Sequence, residues 1–262
     1  VYKELKILTA RPLKKNMQTI KHYLYGFQNA KKDFSTGDWI NLVIKKIKLI
    51  KNKNKIPILV GGTGLYFKAL TEGLVEIPNV PNKIRNQIRA LQKKIGQKKF
   101  FEKLINIDPL VNNKIKPTDV QRSIRAYEVK LFTKKSIFEW YKTTKSKFKN
   151  NHFLKLYLDF PRSELVERIN LRTKKMLESG LIPEVKKFLK LRVSSAKSIT
   201  KAIGILEIKN LIQNKLSKVQ VIEKISIKTR QYAKRQVTWA RGNMKDWKKI
   251  KPKDLNNFLK KI

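Results

Sequence analysis

The sequence predicts an α/β protein whose core is interrupted by a helical insertion and completed by a helical C-terminal region. Two observations predict this class. The apolar, β-branched run IPILV (56–60) is typical of a buried strand, and it leads through GGTG into the helical segment LYFKALTEGL. Residues 82–145 then show helical patterns with many lysines and no convincing strand. A strand, a glycine-rich loop and a helix in succession are characteristic of α/β folds.

The second half of the chain shows similar patterns. LKLYLDF (154–160) predicts another strand, and Ser163 provides a capping side chain for a helix over 164–179. Gly180 is suited to end that helix, and Pro183 to begin the next one. We therefore divide the chain into three parts: the first part of the α/β core (1–80), the helical insertion (81–145), and the region that completes the core and adds C-terminal helices (146–262).

The composition points to a polyanionic partner. The 262 residues include 62 lysines and arginines but 19 aspartates and glutamates, a formal net charge of +43. Basic side chains near phosphates displace condensed counterions, so such a surface favours nucleic acid. A bias toward A- and T-rich codons is the alternative origin of the charge, because lysine, isoleucine and asparagine are abundant together. That bias explains lysine in place of arginine better than it explains the scarcity of acidic residues.

Several kinds of site are excluded by composition. The chain contains no cysteine, which excludes disulfides and thiolate chemistry. Its two histidines, His22 and His152, are far apart in the sequence, so we expect no protein-held metal. No apolar run approaches the ~20 residues that span a bilayer, and no signal peptide is visible. We therefore expect a cytoplasmic protein without membrane contact.

The glycine-rich segment GGTGLY (61–66) is the first candidate site. Three glycines around Thr63, between a strand and a helix, leave backbone N–H groups uncrowded, so a phosphate or a base edge can approach closely. The alternative is a tight turn that requires positive φ angles. The segment is not a Walker A loop, because no Gly-Lys-Ser/Thr follows it.

Three basic helical faces follow. In DVQRSIRAYEV (119–129), Gln121, Arg122 and Arg125 share a polar face that suits phosphates and base edges, or else is a solvated basic face. Arg168 and Arg172 are four residues apart in the next face, where they can clamp a pyrophosphate or pair with neighbouring glutamates on the surface. In TRQYAKRQVTWAR (229–241), a stripe formed by Arg230, Lys234 and Arg241 faces away from Tyr232 and Trp239, which suit core packing. That stripe either faces RNA or has no partner.

In combination, these segments resemble the bacterial tRNA dimethylallyltransferase family, also called isopentenyl-pyrophosphate tRNA transferases. The matching stretches are, in order, VYKELKILTARP, PILVGGTGLYFKALTEGL, DVQRSIRAYEV, RTKKMLESGLIPEV, KAIGILEI and TRQYAKRQVTW. Their order and spacing match from Val1 to about Arg241, nearly the whole chain. Each motif alone is ambiguous, but the set is highly specific.

The resemblance implies a P-loop-kinase-like α/β core with a parallel sheet that binds dimethylallyl diphosphate instead of ATP. It implies that the helical insertion grips the anticodon stem-loop of tRNA and that the adenosine 3′ of the anticodon, at tRNA position 37, is flipped into a channel. The N6 amine attacks C1 of the dimethylallyl group, and pyrophosphate leaves with Mg²⁺. A monomer is expected.

The resemblance also assigns roles to residues. Thr63 and Arg172 are the implied catalytic residues, at the flipped adenine and at the diphosphate respectively. The implied tRNA-binding residues are Gly61, Gly62, Thr63, Arg85, Gln121, Arg122, Ser123, Ile124, Arg125, Lys201 and Gly204, to which the basic stripe adds Arg230 and Lys234.

The chain departs from the family pattern in a few places. Leu8 stands where the family usually has glycine, KHYLYGF leaves only His22 and Tyr23 of a paired-histidine stretch, and Ile205 replaces a common tyrosine. The family's phosphate-binding loop and its Asp-Ser-x-Gln segment are expected immediately before Val1, which suggests an N-terminally truncated chain. Two alternatives to the transferase are an inactive RNA-binding fragment and a P-loop kinase of small molecules. An RNA-binding protein has no need of GGTGLY at a strand end, and a kinase has none of the insertion or the charge.

We expect residues 1–262 alone to bind tRNA but to transfer almost no prenyl group. The resemblance implies that an aspartate of the family accepts the proton of the adenine amine, and loss of such a general base typically slows a reaction ~10²–10⁴-fold. Loss of the phosphate loop also removes substrate positioning. Transfer from radiolabelled dimethylallyl diphosphate should therefore be strong only in a version with upstream family residues restored. Equal transfer by both versions would place the whole donor site within this chain.

Overall fold

The computed structural model describes residues 1–261, with all of their side chains except those of residues 14, 15 and 150. Helices dominate this part of the chain, and two short strands form its sheet. The α-helices are α1 (Lys14–Thr19), α2 (Thr36–Lys51), α3 (Gly64–Thr71), α4 (Asn82–Ile107), α5 (Val120–Thr133), α6 (Ile137–Lys142), α7 (Arg162–Glu178), α8 (Leu181–Lys190), α9 (Ile205–Ile212), α10 (Lys218–Asn243) and α11 (Leu255–Leu259). The strands are β1 (Leu156–Leu158) and β2 (Lys248–Ile250), and 3-10 turns cover Pro109–Val111, Asn150–His152, Ser198–Lys201 and Pro252–Asp254.

The chain forms two compact units. The first contains Val1–Lys68 and Phe153–Ile262, and the second contains Ala69–His152. The predicted insertion, 81–145, lies inside the second unit, which extends beyond it at both ends. Each unit has its own apolar core.

The core of the first unit joins the start of the chain to its C-terminal helices. Leu5 and Leu8 are buried there with Met176 of α7 and with apolar side chains of α8, α9 and α10. These helices present apolar residues every three or four positions, as amphipathic helices do. In the same unit β1 pairs with β2 in parallel, in the register Leu156 to Lys248, so the strand predicted within LKLYLDF is confirmed.

Two predictions about local structure are wrong. IPILV is not a buried strand, since Ile56, Ile58 and Val60 are each more than 80% exposed and residues 56–60 belong to neither β1 nor β2. An extended segment becomes a strand only when a neighbour completes its hydrogen bonds, and no described residue does so here. Ser163 does not cap α7, because the N-cap position is Pro161 and no side-chain cap bond forms.

Gly180 does end α7. It adopts a left-handed conformation, φ +94°, directly after the final residues of the helix. The next helix begins at Leu181, so Pro183 lies within its first turn rather than at its start. A proline is tolerated in that turn because the first N–H groups of a helix have no partner within the helix.

The second unit is a helical assembly of α4, α5 and α6. Phe101 and Leu104 of α4 are buried with Ala126 and Val129 of α5. Helix α4 changes direction at Gly96, whose φ of +75° and ψ of 167° are not helical. Glycine tolerates that conformation because it has no Cβ. Among residues 1–261, no helix is both long and apolar enough to cross a bilayer.

The backbone conformation and the surroundings of Gly204 both disfavour any larger residue at this position. Its φ is +108°, and a Cβ there would lie 2.5 Å from Cδ1 of Leu8. Gly204→Ala should therefore lower the free energy of unfolding by about 1–3 kcal/mol, through backbone strain and overpacking. Leu8→Ala removes only the contact, so the double variant should lose less than the sum of the two single losses.

Chemical denaturation measures these free energies. Gly242→Ala is the matched control, because nothing lies within 4 Å of the Cβ position there. Additive losses from Gly204→Ala and Leu8→Ala would show that Leu8 is not what excludes a side chain at position 204.

Candidate substrate-binding site

The GGTG loop is held against α10. The carbonyl oxygen of Gly62 accepts a hydrogen bond from Gln236 Nε2 at 2.8 Å. A Cβ at Gly64 would lie 2.1 Å from the ring of Trp239, so only glycine permits this approach. Thr63, between the two glycines, is exposed, and its carbonyl accepts the N–H of Tyr66 at the start of α3. The close approach to α10, not a positive φ, is what requires glycine at position 64.

A cavity of about 490 Å³ lies on α10 beside this loop. Its lining consists of Gln231, Lys234, Arg235, Thr238 and Trp239. Lys234 of the predicted stripe therefore borders this cavity, whereas Arg230 lies one turn earlier and is half-buried. Trp239 packs against Gly64 but is only partly buried and lines the same cavity as Lys234, so the prediction that Trp239 and Tyr232 face away from the stripe into the core is wrong. Tyr232 is 41% exposed, with the guanidinium of Arg235 5.7 Å from its ring centroid.

A second cavity, of about 520 Å³, lies between residues 6–13 and α7. We call it the arginine cavity. Five of its lining residues are basic and none is acidic: Lys6, Arg11, Arg168, Arg172 and Lys175. The remainder of the lining includes the apolar side chains of Ile7, Leu13, Leu171 and Met176. A cavity that combines clustered cations with apolar walls suits an anion that carries a hydrocarbon tail.

The guanidinium groups in the arginine cavity differ in their partners. Arg11 Nη2 donates to the carbonyl oxygens of Tyr2 and Lys3 at 2.6 and 2.8 Å, so this residue is engaged with the backbone. Within residues 1–261, no carboxylate lies at ion-pairing distance from Arg168 or Arg172. The alternative prediction, that Arg168 and Arg172 pair with neighbouring glutamates on the surface, is therefore wrong.

Arg172 has an altered environment within this cavity. Although part of its surface is exposed, packing around the guanidinium removes it partly from water, and this desolvation lowers its pKa. Arginine remains charged at neutral pH even so. An unpaired, partly desolvated cation interacts more strongly with an anion than a fully hydrated one does.

In the second unit, the residues of the 121–125 segment differ in their exposure and in their partners. Arg122 is 76% exposed and pairs with Asp119, the N-cap of α5, at 3.1 Å. Arg125 lies 3.6 Å from the buried carboxylate of Glu128. Ser123 is fully buried, and its hydroxyl donates to the carbonyl oxygen of Asp119 at 2.7 Å. Gln121 and Arg122 are the exposed members of the segment, while Ile124 is half-buried.

The remaining predicted residues are dispersed. Arg85, in the first turn of α4, donates to Asn79 Oδ1 at 3.0 Å. Lys201 is exposed, whereas Gly204 is buried and donates its N–H to the carboxylate of Glu207 at 2.9 Å. Gly61 is exposed beside Gly62. Gly204 therefore has a packing role in this structure, which the sequence motif did not indicate.

Several residues of the site were not found from sequence. Lys6 and Lys175 border the arginine cavity, and Gln236 holds the glycine-rich loop, but the sequence patterns predicted none of the three as site residues. Lys6 lies within a matching stretch, but one lysine among so many gave no signal. Gln236 lies in TRQYAKRQVTW, where the pattern indicated only the basic residues as candidates for binding.

The described residues do not form a resident metal site. No group of three or more histidine, cysteine, aspartate or glutamate side chains in residues 1–261 could hold an ion. The arginine cavity is lined by cations, which repel Mg²⁺ rather than ligate it. The residues present therefore do not fit a magnesium ion that the protein itself holds.

Comparison with known proteins identifies the family. Residues 1–243 match the family model described as IPP transferase. The chain is 54% identical to the tRNA dimethylallyltransferase of Pelagibacter ubique over 262 residues, which cover 100% of this chain and 84% of that protein. It is 37% identical to the tRNA dimethylallyltransferase of Agrobacterium fabrum, over 96% of this chain and 85% of that protein.

A solved structure agrees with the sequence match. The chain is similar to a eukaryotic dimethylallyltransferase, described as acting on tRNA, with a TM-score of 0.82 and 25% identity over 97% of this chain and 66% of that one. The P-loop-kinase-like α/β class that the motifs predicted is confirmed by this likeness, although the sheet described here is small. The matched model and these relatives establish that the chain belongs to the IPP transferase family.

Proposed function

We propose that this chain binds the donor and the tRNA in the transfer of a dimethylallyl group from dimethylallyl diphosphate to N6 of the adenosine at tRNA position 37, with release of pyrophosphate. The observation that carries the proposal is the arginine cavity, where cations without a carboxylate partner and apolar walls lie together in a member of this family. Relatives that share most of this chain are named tRNA dimethylallyltransferases. An inactive RNA-binding protein would have no use for such a cavity.

The reaction defines what the cavity must do. The C1–O bond of the donor breaks, a bond forms between C1 and the adenine N6, and the amine loses a proton. Negative charge accumulates on the departing diphosphate, so fixed cations stabilise the transition state more than the ground state. We assign this stabilisation to Arg172 and Arg168, with Lys6 and Lys175 at the rim, and the dimethylallyl chain to the apolar wall.

The GGTG loop is proposed to receive the adenine. Thr63 is exposed between Gly62 and Gly64, whose close contacts with α10 fix the backbone on either side of it. A preorganised backbone can orient a flipped base with little loss of entropy on binding. Lys234 in the adjacent cavity can then contact a flanking phosphate.

Neither a proton acceptor nor a magnesium site is assigned within residues 1–261. Asp119 is engaged in capping α5, and Asp159 is exposed at the end of β1 without a motif around it. We propose that Mg²⁺ arrives with the diphosphate, as part of the substrate.

The tRNA contact is proposed to involve the anticodon stem-loop, with the second unit contributing Gln121 and Arg122. Both side chains are exposed on α5, and an arginine can bond a phosphate oxygen in a bidentate manner. A monomer that acts in the cytoplasm, where tRNA is found, belongs to the same proposal.

Arg172→Ala should weaken binding of inorganic pyrophosphate by about ten- to a hundred-fold, because charge-assisted bonds contribute roughly 1.5–3 kcal/mol each. Arg172→Lys should retain part of the affinity, since it keeps the charge but loses the planar fork. Isothermal titration calorimetry measures both. Arg162→Ala, on the same helix but outside the cavity lining, is the control. Unchanged affinity in Arg172→Ala would remove this cavity from the proposed donor site.

Arg122→Ala should weaken binding of an anticodon stem-loop and reduce the slope of log affinity against log salt by about one. Arg125 is left intact because its loss would leave the buried Glu128 with fewer cations. Lys253→Gln, an exposed lysine of the first unit, is the matched control. A slope that stays the same in Arg122→Ala would exclude this residue from the RNA interface.

A further inference from the structure

Glu184 fastens a distant part of the chain. This glutamate lies in the first turn of α8, and its carboxylate accepts hydrogen bonds from two successive backbone N–H groups near the N-terminus. Ile7 N–H donates to both carboxylate oxygens, at 2.8 and 3.0 Å, and Leu8 N–H donates to Oε1 at 2.9 Å. Partner residues are 176 or 177 positions apart in the sequence. Glu184 does not line the arginine cavity.

These bonds fix the orientation of the peptide groups that build one wall of that cavity. Lys6 and Ile7 line it, and they belong to the peptide groups that Glu184 holds, while Ala10 lines it two residues beyond Leu8. Leu8 points the other way, into the core of the first unit, against the site where Gly204 lacks a side chain. A carboxylate has two oxygens that accept and none that donates, so it can receive both N–H groups at once.

The charge of the acceptor matters as much as its shape. Bonds from backbone N–H groups to an ionised carboxylate are stronger than bonds between neutral groups. The three bonds also engage the negative charge of Glu184 with backbone dipoles. A neutral side chain at this position would weaken these bonds and leave residues 6–10 held mainly by the burial of Leu5 and Leu8, which does not fix the direction of the Ile7 and Leu8 N–H groups.

We infer that Glu184 is a positioning residue for the donor site, which holds residues 6–10 in place as one wall of the arginine cavity, with α7 as the other. It acts through the backbone and touches no substrate. This inference rests on the proposed function, because it requires the arginine cavity to be the diphosphate site. Misplacement of reacting groups by about 1 Å can slow a reaction on the order of a hundred-fold, and we expect removal of Glu184 to lower pyrophosphate affinity by about one to two orders of magnitude.

The test measures binding of inorganic pyrophosphate to chains of residues 1–262 by calorimetry, together with thermal unfolding and amide hydrogen exchange at Ile7 and Leu8. Glu184→Gln keeps one acceptor oxygen but turns an amide donor toward the N–H groups, and Glu184→Ala keeps none. Glu178→Gln is the matched control, because it removes the same charge from an exposed position at the end of α7. Glu184→Asp is a further variant that keeps the charge but withdraws it by one methylene.

We expect a graded loss of affinity, about three- to ten-fold for Glu184→Gln and ten- to a hundred-fold for Glu184→Ala, with faster exchange at residues 7 and 8. Glu178→Gln should bind as the parent does. A role in stability alone would lower the unfolding temperature without this partial rescue by glutamine. If Glu184→Ala does not fold, Glu184→Asp should still bind more weakly than the parent.

The outcomes separate the inference from the proposed function. If folded Glu184 variants bind pyrophosphate as the parent does while their Ile7 and Leu8 amides exchange faster, the positioning role is refuted and the donor site remains in place. Absence of pyrophosphate binding by the parent itself would refute the donor site, and the positioning role with it.

Discussion

The attachment of the first eleven residues to helices α7–α10 is the constraint on which the rest of the first unit depends. Two kinds of interaction produce it. Leu5 and Leu8 are buried among the helices, and the carboxylate of Glu184 receives the N–H groups of Ile7 and Leu8. Burial of a leucine stabilises a fold by roughly 1.5–3 kcal/mol but has no direction. The carboxylate provides the direction, and the arginine cavity has two walls as a consequence.

A few of the 19 acidic residues have buried structural roles. Glu207 is buried, where it pairs with Lys228 at 2.5 Å and accepts the N–H of Gly204. Glu128 is buried beside Arg89 and Arg125. Half-buried Glu184 likewise serves a contact within the first unit, whereas most of the other acidic side chains are exposed, and none of them lines the arginine cavity. A surface with few carboxylates leaves its lysines and arginines available to phosphates, as binding to tRNA and to a diphosphate would require.

Helices and family motifs could be predicted from the sequence because their signals are local. The periodic apolar residues of α7, α8 and α10, and the left-handed Gly180, depend on neighbours within a turn or two. The strand predicted over IPILV failed for the opposite reason. Its residues favour an extended backbone, but a strand also needs a hydrogen-bonding partner, and no described residue provides one.

The site was predicted in part for the same reason. Thr63 and Arg172 lie in recognisable motifs; in the structure Thr63 is exposed and Arg172 lines the arginine cavity. Lys6 and Glu184 could not be found, because their importance arises from contacts across more than 150 residues of sequence. The buried positions of Ser123 and Gly204 are likewise tertiary facts that a motif of polar and small residues does not reveal.

The central claim is that the donor diphosphate binds between residues 6–13 and α7. The most direct measurement is a crystal structure of the chain with inorganic pyrophosphate bound. The account predicts phosphate oxygens within hydrogen-bonding distance of the Arg172 guanidinium, beside Arg168 and Lys6, with the Glu184 bonds to Ile7 and Leu8 intact. Pyrophosphate located on α10 beside the GGTG loop, with the arginine cavity empty, would contradict it.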